Sequence, residues 1–126
     1  MRERRRLPVV ATRRFERALE AMLDHYESVR HLRPDAGTRA LRLIEAVEGE
    51  LPRLLGTHPD IGRPAQLSLT QSRAERKWLE RLAPLTARRR LQPREWLLGD
   101  FWILYFRSAS ALYLVSVRHE REAEYR

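Results

Sequence analysis

The last apolar run of the chain ends at Val117 and is followed by Arg118, His119, Glu120, Arg121 and then Tyr125. A histidine titrates near neutral pH, a tyrosine can pass a proton, and arginine's planar fork grips phosphate or carboxylate. Together these types would support acid–base cleavage of a phosphodiester. His119 would be the general base, Tyr125 the general acid, and Arg118 and Arg121 the phosphate clamps. Glu120, Glu122 and Glu124 sit among them and oppose the approach of RNA phosphates. The plainer account of the pair is structural: a strand-end histidine and a terminal aromatic closing over the core. Arg63, in Gly-Arg-Pro, reads first as an arginine pinning a loop through carboxylate or carbonyl contacts. Arg88 to Arg90 read as a solvated run or a nucleic-acid contact. His25, His31 and His58 are scattered without ligand-like spacing, and cysteine is absent, so no metal site, thiolate chemistry or disulfide is expected, and no cofactor.

These side chains hang on a short list of elements. Arg94 to Arg126 carries apolar runs rich in aromatic and β-branched residues, broken at Gly99-Asp100 and at Ser108 to Ser110. It reads as three antiparallel strands joined by tight turns, with the charged tail at one edge of the sheet. Leu7 to Ala11, around Val9 and Val10, is a short strand candidate that Pro8 confines to an edge or a first-residue position. Thr12 can cap a helix whose apolar residues recur at 15, 19, 22, 23 and 26 and which ends near His31. Pro34-Asp35 restarts the chain, and Leu41, Ile44, Val47, Leu51, Leu54 and Leu55 predict a second helix over 36 to 55, antiparallel to the first. Pro52 predicts a kink or a 3₁₀ turn near its end. Gly56 to Pro64 is a turn-rich connector, and an extra helical insertion is expected at about 65 to 92. The expected fold is α+β, one domain over 1–126, with the helices on one face of a mostly antiparallel sheet.

Composition narrows the setting. Lys and Arg number 25 against 17 acidic residues, a net charge of +8, almost all of it arginine. An acidic partner, protein or nucleic acid, fits this excess, and a G+C-rich genome would also produce it. No secretory leader and no membrane span is apparent, which points to the cytoplasm.

The order of strand, amphipathic hairpin, His-Pro-x-Ile-Gly-Arg-Pro connector and aromatic meander resembles the RelE/ParE superfamily of toxins from bacterial type II toxin–antitoxin modules, also known as plasmid stabilisation proteins. The resemblance rests on Pro59 to Pro64, on Arg94-Glu-Trp followed by Gly99-Asp100 and the strand through Tyr105, and on Val115-Ser-Val-Arg-His-Glu-Arg. It implies growth inhibition relieved by a cognate antitoxin, in a hetero-oligomer with it. Two activities go with this resemblance. RelE-like members cut messenger RNA on the ribosome, with basic residues on the meander's first strand and just after the aromatic that opens its second; here those positions hold Glu95 and Trp102. ParE-like members inhibit DNA gyrase without cleaving RNA, and the loss of the two basic residues favours that branch. A third alternative is an inactive member acting only in an antitoxin-bound repressor complex. Expected contact residues for target or antitoxin are Arg63, Arg94, Trp96, Tyr105, Arg107, Arg118, His119 and Arg121, with the hairpin 13 to 55 contributing. Tyr125 stands six residues beyond His119, as a tyrosine does in the RNA-cutting branch.

Overall fold

The computed structural model describes residues 6–65, 77 and 90–121. The expected insertion at 65–92 falls almost wholly outside the described residues, as do Arg88, Arg89 and Tyr125. The chain is α+β. Strand β1 (Val9–Ala11) leads into helix α1 (Arg13–Val29), then α2 (Asp35–Glu45), a π turn (Ala46–Glu50) and α3 (Leu51–Thr57). Four further strands follow: β2 (Arg63–Pro64), β3 (Gln92–Leu98), β4 (Phe101–Arg107) and β5 (Leu112–His119).

Thr12 ends β1 and starts α1 with one side chain. Its hydroxyl accepts the Phe15 N–H at 3.2 Å and donates to the Leu114 carbonyl at 2.6 Å, so it caps the helix and ties its first turn to β5. Phe15, Ala18, Met22 and Tyr26 form the buried stripe of α1. The second helix does not run unbroken to residue 55. Where a kink or a tight 3₁₀ turn was expected, the helix widens instead, and the Leu51 N–H reaches back five residues to the Ala46 carbonyl. Pro52 has no N–H for the carbonyl of Glu48 and its ring crowds that position. The wide turn moves the carbonyls aside, and Pro52 then occupies the first turn of α3, where a missing donor costs nothing.

The sheet has five strands in the order β1-β5-β4-β3-β2 and is mixed. β1 runs parallel to β5, with Val9 beside Leu112, while β2–β3, β3–β4 and β4–β5 are antiparallel. The sheet is therefore not the three-stranded antiparallel meander expected from the sequence: β1 joins it in parallel on β5, a pairing across about a hundred residues that no local pattern announces, and β2 extends it beyond β3. In β2 two residues, one of them proline, carry no alternation to read. The turns fall where the breakers stand. Gly99 adopts φ +60, and the Ser108 hydroxyl accepts the Ala111 N–H at 3.0 Å.

The three helices cover one face. Phe101, Ile103, Tyr105, Leu112, Leu114 and Val117 meet the helix stripes there in the main core. On the other face Leu104, Phe106 and Val115 form a second, smaller cluster against Ala65, Leu91 and Tyr113. The register slips between Leu104 and Tyr105, leaving Val115 as the extra residue of a bulge in β5. Among the described residues no helix is long and apolar enough to cross a membrane.

Candidate functional site

Side chains alternate along a strand, so Trp102, between the helix-side Phe101 and Ile103, belongs to the face away from the helices. Two strands bring arginines to it from either side. Arg118 lies directly across from Trp102 in the β4–β5 pair, and its guanidinium carbon stands 5.6 Å from the ring centroid. Arg63 comes from β2, on the far side of β3, and its guanidinium carbon is 4.4 Å from the same ring. Both distances lie within cation–π range. Arg63 also pairs through Nε with Glu95 Oε1 at 2.8 Å. The Glu95 side chain is 10% exposed and that of Arg63 62%, so the carboxylate anchors the arginine from below while the guanidinium stays open to a partner. Leu97, opposite Trp102 on β3, adds an exposed apolar edge.

Arg63 is aimed by the connector, which a second group of residues locks to the sheet. Tyr105 is 0% exposed; its hydroxyl donates to the Pro59 carbonyl at 2.9 Å and accepts the Gly62 N–H at 3.1 Å. Burial pushes its pKa above the ordinary 10.0, although the Gly62 N–H bond and the neighbouring Arg94 pull the other way. Arg94 donates to the carbonyls of Asp60 and Gly62. Arg107 Nε meets Asp60 Oδ1 at 3.0 Å. Gly62 passes so close to β3 that a Cβ would lie 2.6 Å from the Glu95 carbonyl oxygen, so only glycine fits there. Arg94, Tyr105 and Arg107, read from the sequence as contact residues, are thus placed in the clamp that holds residues 59 to 62. Trp96 packs against the helix-side core.

Among the described tail residues, Arg118 and His119 lie on opposite faces of the sheet. Arg118 faces Trp102, whereas His119, the next residue, turns to the helix side and is 6% exposed. Its ring meets Phe101 edge-on at 5.5 Å, and its Nδ1 accepts the Arg121 N–H at 3.2 Å. The Glu120 N–H donates to the Asp100 carbonyl at 2.8 Å, tying the end of β5 to the β3–β4 turn. On the helix side of that turn, Arg42, Glu45, Glu50, Asp100 and Phe101 line a cleft of about 290 Å³.

Two parts of this arrangement escaped the sequence reading. Asp60, the acceptor that gathers Arg107 and Arg94, looked like an ordinary turn residue. The Arg63–Glu95 pair depends on a strand too short to foresee. What the open face offers is an indole with a guanidinium on each side, suited to stacking and to carboxylate or phosphate recognition. It does not place a general base beside the arginines. No protein-family model and no curated protein matches this sequence.

Proposed function

We propose that this chain is the toxin of a type II toxin–antitoxin module, of RelE/ParE-like architecture and nearer the ParE branch. It acts in the cytoplasm by binding DNA gyrase, and a cognate antitoxin neutralises it in a hetero-oligomer. The order of elements and the hairpin packed on one sheet face support the first part. The observation that carries the choice of branch is the opposite facing of Arg118 and His119. A phosphodiester cleft needs its base and its clamps on the same side of the strand, and here the base is stacked on Phe101 while Arg118 and Arg63 flank Trp102. The residues at the two positions where the RNA-cutting branch carries cations are a carboxylate bound to Arg63 and an indole. That arrangement suits a protein contact surface, with an aromatic anchor and arginines around it.

The test is a plasmid supercoiling assay with purified gyrase, run beside a messenger-RNA cleavage assay with translating ribosomes. The expected result is inhibition of supercoiling with intact message, weakened about tenfold or more in Trp102→Ala, as for a hot-spot aromatic. Message cleavage that vanishes in His119→Ala or Tyr125→Ala would overturn the reading in favour of a ribosome-dependent endoribonuclease. No growth arrest on expression, with neither activity in vitro, would favour a member serving only in a repressor complex.

A further inference from the structure

The net charge of +8 is not spread along the chain. Residues 1–17 hold seven arginines against Glu3 and Glu16, a surplus of +5. Residues 18–65 hold eight acidic against six basic residues, and residues 93–126 five of each. The remaining surplus, over 66–92, lies almost wholly outside the described residues. A compositional bias toward arginine codons would raise arginine everywhere; it does not account for a hairpin with net negative charge directly after a strongly positive start.

Within the described residues the positive start is mounted on the first turn and a half of α1. Arg13, Arg14 and Arg17, with Ala18 and Ala21, line a shallow groove of about 300 Å³. Arg13 and Arg17 are exposed and enter no ion pair or hydrogen bond among the described residues. They stand one turn apart on one side of the helix, about 6 Å along its axis. The platform beneath them is fixed, because Thr12 ties the helix start to Leu114 of β5 through both its hydroxyl and its N–H.

The chemistry of this surface selects its partner. A membrane-surface helix needs a free apolar face to sink below the headgroups, and the apolar stripe of α1 is already buried in the core. A protein interface needs an apolar or aromatic anchor, and the groove offers two alanines. Phosphates need neither. They need positive charge and fork-shaped donors, and every basic residue here is arginine. We propose that the start of α1 is a sequence-independent nucleic-acid contact, with Arg13 and Arg17 gripping the phosphate backbone of duplex DNA. It lies on a different element from the Arg63–Trp102–Arg118 face and does not rest on the gyrase reading.

The experiment is fluorescence anisotropy of a short labelled DNA duplex of random sequence, titrated with the full chain from about 50 to about 200 mM salt. The wild type is expected to bind with an affinity that falls steeply with salt. Arg13→Gln/Arg17→Gln is expected to lower the slope of log affinity against log salt by about 2 and to cost about tenfold per arginine at the lowest salt. Both positions are exposed, and an unchanged circular dichroism spectrum confirms the fold. Arg13→Lys/Arg17→Lys should keep most of the salt slope. Arg30→Gln/Arg53→Gln removes the same charge from the hairpin and should change affinity by less than about twofold, since contact and not net charge is what counts. The proposal is overturned if the first double variant binds like the wild type, or if the hairpin variant loses as much. It is overturned equally if the duplex stays unbound while phosphatidylserine vesicles or an acidic peptide are captured.

Discussion

The Tyr105 hydroxyl serves two backbone groups of the connector at once, the Pro59 carbonyl and the Gly62 N–H, in a site closed to solvent. Tyr105→Phe keeps the ring and strands both partners, so it is expected to cost about 1–3 kcal/mol. The readout is a lower urea midpoint with an unchanged m value. Burial raises the folded pKa of this phenol above its unfolded value near 10.0. Between the two values the folded state holds the extra proton, so its contribution to stability is complete below the unfolded pKa and is lost as pH rises through the folded one. The wild type should therefore lose stability from about pH 10 upward through this group, and Tyr105→Phe should lose less over the same range. A variant that declines as steeply as the wild type would place alkaline sensitivity elsewhere. The sequence shows why such a role is hard to see. Tyr105 sits in an aromatic run where every ring has a reason to be, and alternation gives its face but not what its oxygen reaches. Arg63 was legible as an arginine pinning a loop through carboxylate or carbonyl contacts; that the partner is the Glu95 carboxylate was not, because the two meet across 32 residues.

At the level of the elements, α1 was legible almost to the residue, because Thr12 and the stripe from Phe15 to Tyr26 state the same boundary twice, once by capping and once by period. Thr12→Ala removes the cap and the bond to Leu114 together, and should lower stability by about 1–2 kcal/mol. Thr12→Ser keeps both and should recover most of it; equal losses in the two would assign the effect to the Thr methyl group. The second helix was legible in its pattern and not in its continuity. The apolar spacing through Leu51 and Leu55 persists across the π turn, so the periodicity reads one helix where the backbone makes two. Pro52 announced a disturbance, but a breaker does not say whether the turn before it tightens or widens. The paired strands β3 and β4 were legible from Gly99-Asp100 and the aromatic run, whereas their partner β2 was hidden in a connector that reads as pure turn.

Taken whole, the sheet joins its first strand to its last among the described residues. Among the described residues β1 pairs with β5 alone, and β5 lies between β1 and β4, so β5 is the strand that fastens the first strand and the helix hairpin to the rest of the sheet. Leu112, Leu114 and Val117 supply the part of the core on which α1 rests. A chain ending at Ser110 is expected to show no cooperative thermal transition, measured by circular dichroism. A residual sharp melt would mean that the helices and the β3–β4 hairpin hold together without β5. Such a topology is also made in an awkward order. Contacts between residues about a hundred positions apart cannot close before β5 has emerged, and loop closure over that span is slow even afterwards. A ribosome that stalls or a message that breaks before the codon for Leu112 therefore leaves a fragment that lacks the strand joining β1 to β4. The fold waits on its latest strand and arrives all at once when β5 emerges.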